Sequence, residues 1–194
     1  MGKRNLGLKA GANLSNQYKK VSPPGYPADR SETKPLAGIQ IGAFMKHTLN
    51  DRLRFAMELN YASTGSKTEY LRTDFIVDAN GNISGATTGY FKDRIQTIEI
   101  PAFIQYNIEK LHFGLGPAIS IKISAREEGV DNKFYKNPYY KSLDVGANAM
   151  IGYSFYKTIG LNIKYVYGIT DVDRRTYYRV NNRGLAFSVL YSLK

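Results

Sequence analysis

Residues 111–122, LHFGLGPAISIK, decide the fold. Every second residue from Leu111 to Ile121 is apolar, and the residues between them are small or polar. A period of two is typical of a β-strand with two different faces. These 12 residues also exceed the length of an average strand, which is about five or six residues. The stretch therefore predicts a long strand with one apolar face.

Seven other segments show the same alternation. Their apolar phases run over residues 6–14, 37–45, 53–61, 98–106, 143–155, 159–169 and 185–193. No position of the apolar phase carries a charge in any of the eight segments. The sequence therefore predicts eight amphipathic strands.

The connections between these segments alternate in length. Three are short turns, centred near Asn50, Glu109 and Lys157. Four are long and polar, over residues 17–35, 64–95, 124–140 and 171–182. Short turns at one end, long loops at the other and an even strand number are typical of bacterial outer-membrane barrels. We predict an all-β, eight-stranded antiparallel up-and-down transmembrane β-barrel with periplasmic turns and extracellular loops, as one domain over residues 1–194.

The same alternation also fits a soluble, lipocalin-like barrel that binds lipid, so the two faces must be assigned. A strand face in water is normally rich in Lys, Glu, Thr and Gln, whereas the polar phase here is rich in glycine. Glycine relieves crowding inside an eight-stranded barrel, whose interior only just accommodates side chains. The glycines of this phase are Gly7, Gly11, Gly38, Gly42, Gly114, Gly116, Gly146, Gly152, Gly160, Gly168 and Gly184. We therefore place the polar phase in the lumen and the apolar phase against lipid.

Tyrosines of the apolar phase lie towards the strand ends, with aliphatic residues between them. Aromatic rings at both water–lipid boundaries form the girdles of outer-membrane barrels. The predicted girdle consists of Tyr61, Tyr106, Tyr153, Tyr165, Tyr167 and Tyr191. Ordinary strand preference for tyrosine is the alternative explanation.

Composition excludes several other classes. The chain has no cysteine, which removes disulfide scaffolds, zinc–thiolate sites and cysteine nucleophiles. No window contains the roughly 20 consecutive apolar residues of a spanning helix.

No apolar segment follows the basic N-terminal residues, so we expect a protein of the Gram-negative outer membrane whose native signal peptide is absent from this chain.

Several strands resemble those of a known family. Residues 98–103, IEIPAF, with Tyr106 are similar to the Leu/Ile-Pro strand of the PorT-related outer-membrane β-barrel proteins of Bacteroidota. Residues 114–117, 143–146 and 165–171 resemble the fifth, sixth and seventh strands of that family. The resemblance covers the chain from Leu6 and implies an OmpA/OmpX-like architecture, a cleaved signal peptide and a role as an accessory subunit of a larger outer-membrane assembly such as the type IX secretion system.

Eight charged side chains fall on the lumen face. They are Lys9, Lys46, Arg54, Glu58, Glu99, Lys122, Asp144 and Lys164. Unpaired charges in a confined interior are costly, so we expect these groups to pair into a hydrogen-bonded polar plug. A narrow, porin-like pore or ion path is the functional alternative.

Catalytic and metal chemistry find no support in the residue pattern. The only histidines, His47 and His112, both lie next to predicted short turns. Ser120 shares a face with His112 but lies eight residues away, roughly 26 Å along a strand. Residues 78–82, DANGN, begin like a calcium loop but lack its later glutamate, and Asn80–Gly81 fits a hairpin turn. We predict no enzyme activity, no metal and no cofactor.

The formal net charge is +11. The excess is spread over the chain instead of forming one basic face, so we predict no nucleic-acid binding. Lipopolysaccharide headgroups are the expected anionic partner, with a solvated loop surface as the alternative. The candidate contacts are Lys19, Lys20, Arg174, Arg175 and Arg179.

The longest loop contains two segments that fit a ribbon. Residues 70–77 and 83–92 should pair and carry two strands beyond the membrane. Loops on a rigid scaffold are where binding residues concentrate. We therefore expect a monomeric barrel with a structural or interaction role, which presents its loops to lipopolysaccharide, a surface ligand or a protein partner.

Overall fold

The computed structural model describes residues 4–21, 33–77, 83–128, 134–136, 138–156, 158–174 and 178–193. These residues form nine strands: β1 (Arg4–Val21), β2 (Thr33–Thr48), β3 (Leu53–Val77), β4 (Ile83–Ile108), β5 (Leu111–Glu128), β6 (Phe134–Lys136), β7 (Leu143–Ser154), β8 (Ile159–Gly168) and β9 (Tyr178–Ser192). No helix in the described part of the chain is long and apolar enough to cross a membrane.

Eight of the strands close into a barrel. Every pairing is antiparallel; the sheet runs β4-β3-β2-β1-β9-β8-β7-β5, and a further pairing of β4 with β5 closes it. Among the described strands, the short strand β6 pairs only with the distal end of β5. Closure leaves the eight strands of the ring without an unpaired edge, which hydrocarbon requires because it cannot hydrogen-bond backbone groups. The predicted fold class is confirmed.

The two faces of the strands differ sharply in exposure. On the outside, Leu115 is 69% exposed and Ile39 is 63% exposed, whereas the lumen-facing Gln40 and Gln105 are each 1% exposed. A water-soluble protein would reverse this distribution, because large apolar side chains avoid water. The outer surface is therefore an apolar band around a polar interior.

The strands extend beyond the segments with clear alternation. β1 continues to Val21 and β5 to Glu128, into residues that the sequence analysis assigned to loops. β3 and β4 form a ribbon in which Tyr70 pairs with Gly89 and Val77 pairs with Ile83. Residues 15–20 of β1 are mostly polar, so period two is weak there although backbone pairing continues. Residues 78–82, with the expected turn at Asn80–Gly81, lie outside the described residues.

A β-bulge in β5 changes which side chains face out. Thr97 pairs with Lys122 but Gln96 pairs with Ser124, so Ile123 is an extra residue on β5. An extra residue shifts the two-residue alternation by one position. Beyond the bulge Ala125 is buried and Arg126 is exposed.

Candidate functional site

An ion pair crosses the lumen from β1 to β3. The Nζ of Lys9 donates to Oε2 of Glu58 at 2.7 Å, and the two side chains are only 1% and 4% exposed. The amide of Asn60 donates a second hydrogen bond to the same oxygen at 3.1 Å. The charges are thus compensated within an interior that water barely reaches.

A second ion pair joins β8 to β4. The Nζ of Lys164 lies 3.3 Å from Oε2 of Glu99, with side-chain exposures of 3% and 12%. β8 and β4 are not neighbours in the sheet, so this pair also spans the barrel interior. The two pairs connect strands that are not neighbours, β1 with β3 two strands apart and β4 with β8 three strands apart.

A layer of neutral groups lies in the lumen between the ion pairs and the short turns. His112 shares a hydrogen bond of 2.8 Å with the amide oxygen of Asn162. Ala56, Phe103 and Met150 form a small apolar cluster beside it, and Phe103 is 1% exposed. This part of the interior is packed like a core.

The other predicted plug residues have different surroundings. The Lys46 ammonium lies 5.1 Å from the centre of the Phe44 ring, and within the described residues neither it nor Arg54 has a carboxylate partner. Asp144 accepts hydrogen bonds from the Thr170 hydroxyl at 2.7 Å and from the Asn182 amide at 2.8 Å. Lys122 donates to the backbone carbonyl of Tyr140. Thus the structure brings Lys9, Glu58, Glu99 and Lys164 into ion pairs and leaves the remaining four outside them.

A lid covers the long-loop end of the lumen, and nothing in the sequence pattern indicated it. Residues 138–142 and 169–174, which we call the lid, contribute Tyr140 and Val172 to an apolar cluster. The Tyr140 hydroxyl donates to Oε1 of Gln17 across the mouth at 2.8 Å. The cluster is completed by Ile95, Ala125 and Val180, which come from β4, β5 and β9.

Backbone and carboxylate hydrogen bonds hold the two lid segments together. The N–H of Lys141 donates to the carbonyl of Val172 at 2.8 Å, and the N–H of Arg174 donates to that of Tyr139 at 2.8 Å. The Asp171 carboxylate accepts the N–H of Val180 at 2.9 Å. This pairing satisfies backbone groups of both segments as a sheet would, and Asp171 also ties the lid to β9.

The ionisable groups of the lid have shifted pKa values. Burial and the nearby Asp93 carboxylate raise the pKa of Tyr140 well above its usual value. Partial burial alone would raise the pKa of Asp171, but the N–H groups of Val180 and Asp173 and the Lys141 ammonium outweigh it and lower the pKa. At neutral pH the first shift keeps the Tyr140 hydroxyl protonated, as its hydrogen bond to Gln17 requires, and the second keeps the Asp171 carboxylate ionised, as its hydrogen bond from Val180 favours.

A small cavity of about 60 Å³ separates the lid from the second ion pair. Glu99, Lys122, Asp144 and Lys164 line it together with Tyr140 of the lid. A water needs roughly 10–15 Å³ of such space, so the cavity has room for a few waters. Charged side chains from several strands therefore face one small space between the lid and the second ion pair.

All six girdle tyrosines lie on the outer face. Their exposures range from 36% for Tyr61 to 53% for Tyr191. Tyr167 also takes part in a contact that the sequence analysis missed: the Arg183 guanidinium lies 5.0 Å from its ring centre and 4.5 Å from that of Tyr18. Stacking of a cation between two rings suits the polar edge of an apolar band.

The cations expected to contact lipopolysaccharide do not form one cluster. Lys19 and Lys20 pair through their backbones with Val180 and Arg179, on the β1–β9 side of the barrel. Arg174 and Arg179 are exposed, but Arg174 belongs to the lid and faces β5 and β6. The side chains of Lys19 and Lys20, and all of Arg175, lie outside the described residues.

In the part of the chain that the structure describes, neither histidine is hydrogen-bonded to a serine. The described hydrogen bond of His112 goes to Asn162 inside the lumen. His47, on β2, belongs instead to the outward phase of its strand. Among the described residues no group of three or more His, Cys, Asp or Glu side chains could hold a metal ion.

Comparison with protein families gives one match over most of the chain. A family model described as an outer membrane protein beta-barrel domain matches residues 2–174. A search of curated proteins gives no significant match. The finer PorT relationship suggested by the strand motifs stays a prediction.

Comparison with solved structures gives full-length similarity to bacterial surface barrels. Neisserial surface protein A is similar with a TM-score of 0.54 and 16% identity over 97% of both chains. The attachment invasion locus protein Ail of Yersinia pestis, in complex with the heparin analogue sucrose octasulfate, has a TM-score of 0.51 and 9% identity, covering 98% of this chain and 99% of its own. OprG from Pseudomonas aeruginosa has a TM-score of 0.51 and 12% identity, covering 97% and 95%. At these identities the similarity concerns the fold.

Proposed function

Because the chain belongs to the outer membrane protein beta-barrel domain family, we propose that it is a non-enzymatic outer-membrane barrel with a sealed lumen, which anchors an extracellular interaction surface. The observation that carries the proposal is the layered interior. A packed cluster, two cross-lumen ion pairs and the lid lie in succession between the two mouths. An eight-stranded barrel has an interior just wide enough for side chains, so these layers leave little room for a water column.

The two alternatives fit the described residues less well. A pore would need polar groups around a continuous aqueous path, whereas the lid closes one mouth with apolar side chains. A soluble lipid-binding barrel would need an apolar interior, whereas Lys9, Gln40 and Glu58 are buried there. The apolar lid and the buried polar interior therefore both support an integral membrane barrel that does not conduct ions.

The extracellular part supports an interaction role. The β3–β4 ribbon continues its pairing as far as Val77 and Ile83, well beyond the apolar band. A paired ribbon fixed to a rigid barrel is suited to a protein partner, and an accessory place in a larger outer-membrane assembly belongs to this proposal. The cationic residues on the other long loops of the chain support contact with lipopolysaccharide.

Planar-bilayer recording tests the sealed lumen. We expect no steady single-channel steps from the purified barrel, because ion pairs and packed side chains obstruct the lumen at several levels. A general porin in the same bilayer is the positive control. Reproducible steps of constant conductance from the pure protein would contradict the proposal and favour the pore.

A further inference from the structure

Three cations lie side by side across the outer face of β4, β5 and β6. Arg94 is the register partner of Arg126, and Arg126 is the register partner of Lys136. All three residues are exposed. Like charges directly opposite each other destabilise a sheet, so this arrangement calls for a compensating anion. We call these three residues the cationic row.

The row depends on the bulge in β5. If Ile123 took a regular place in the pairing instead of bulging, every later residue of β5 would shift by one position and the side chain at position 126 would point into the barrel. The bulge instead places Arg126 outside, level with Arg94 and Lys136. A local irregularity thus aims a charge at the surface, as bulges commonly do near binding sites.

Two more cations border the row. The lumen-phase Lys122 and the lid residue Arg174 line a recess beside the row together with Arg126, Lys136 and Pro138, and its volume is about 670 Å³. Among the described residues that line the recess there is no acidic side chain. The recess is therefore a concave, strongly positive surface.

One carboxylate compensates only the edge of the row. Glu128 lies 3.1 Å from Lys92 and 3.8 Å from Arg94. Within the described residues no carboxylate lies within 4.0 Å of Arg126, Lys136 or Arg174. The positive charge of the recess is thus left to a ligand or to solvent ions.

The height of the row matches the headgroup region. Ile121 and Ile123, just below it on β5, are 43% and 53% exposed and belong to the apolar band. Arg126 follows Ile123 by three residues, which is about 10 Å along the strand and about 8 Å along the membrane normal at a tilt of about 40°. The headgroup layer on each side of the hydrocarbon core is about 5–8 Å thick, so Arg126 lies at the level of the headgroups.

We propose that the cationic row and its recess bind the phosphate groups of a phosphorylated glycolipid in the outer leaflet. Phosphate oxygens accept charge-assisted hydrogen bonds from Arg and Lys, and the outward position beside the apolar band favours a membrane lipid as their source. The inference rests on the proposed outer-membrane location. It adds Arg94, Arg126 and Lys136 to Arg174 and locates the contact on β4–β6.

Native mass spectrometry of the whole barrel in detergent, titrated with diphosphoryl lipid A and with fully dephosphorylated lipid A, tests the proposal. We expect the diphosphoryl form to bind at least about 10-fold more tightly, the size of one strong charge-assisted contact. The double variant Arg126→Gln/Lys136→Gln should lose about 10-fold in affinity for the diphosphoryl form only. Arg174→Gln, in the lid, provides a second variant if the double variant does not refold.

The control Arg4→Gln/Lys110→Gln removes two exposed cations at the short-turn end and should bind like the parent protein. Equal binding of both lipids, or equal losses in both double variants, would overturn the proposal. Competition by millimolar inorganic phosphate that abolishes lipid binding would also overturn it, because the site would then take free phosphate. Heat-modifiable migration of the same samples reports insertion separately, so a failed barrel is distinguished from a failed lipid site.

Discussion

Replacing Glu58 by glutamine is expected to lower the free energy of unfolding by about 3–5 kcal/mol, because the charge of Lys9 loses its carboxylate in a nearly dry interior. The two side chains are 1% and 4% exposed and 2.7 Å apart, so neither solvent nor another described carboxylate within 4.0 Å replaces the lost partner. Urea unfolding in lipid vesicles, followed by heat-modifiable migration, measures the change.

The double variant Lys9→Met/Glu58→Leu is the matched control. It removes both charges and keeps the volume, so its stability should differ from the parent by less than about 1.5 kcal/mol. If Glu58→Gln itself changed stability by less than about 1 kcal/mol, the pair would be accessible to water and the sealed lumen would be contradicted.

Alanine at Gly116 is expected to cost at least about 3 kcal/mol or to prevent assembly, since overlap with backbone cannot be relieved by a rotamer change. A Cβ there would overlap the carbonyl oxygen of Ala102 and lie 3.1 Å from the Cα of Phe103 on the neighbouring strand. The β4 backbone passes too close to β5 for any side chain at this position. Refolding yield and urea unfolding measure the effect.

Gly160→Ala serves as the control for this substitution. Its nearest obstacle, the carbonyl oxygen of Tyr153, lies 3.1 Å away and the next atom lies 3.8 Å away, so a small shift accommodates the methyl group. We expect a change of less than about 1 kcal/mol. Equal effects at the two glycines would show that strand propensity, and not close approach of β4 and β5, determines the cost.

The architecture could be predicted because each long strand carries its information locally. In residues 111–122 the alternation shows both faces at once, and glycine on one face identifies the crowded interior. The ends of the strands were harder to predict. Beyond Leu14 or Ser124 both faces meet water or other protein, so alternation fades while backbone pairing continues.

From the sequence we could predict that charged side chains pair inside the lumen, but not which of them pair with each other. Arg54 lies four residues from Glu58 on the same strand, yet the partner of Glu58 is Lys9, two strands away across the interior. Which charges meet depends on the stagger of the whole barrel, which no single segment encodes. The lid and the cationic row arise similarly, from residues on separate connections and from one inserted residue in β5.

Cysteine labelling tests most directly whether the apolar face meets lipid, since the chain has no cysteine of its own. Leu115 and Tyr156 are 69% and 73% exposed, the first on the apolar band and the second in a short turn. In proteoliposomes permeabilised to a water-soluble maleimide, Tyr156→Cys should react fully while Leu115→Cys stays unlabelled until detergent or denaturant is added. Labelling of Leu115→Cys at the rate of Tyr156→Cys in intact membranes would contradict the account.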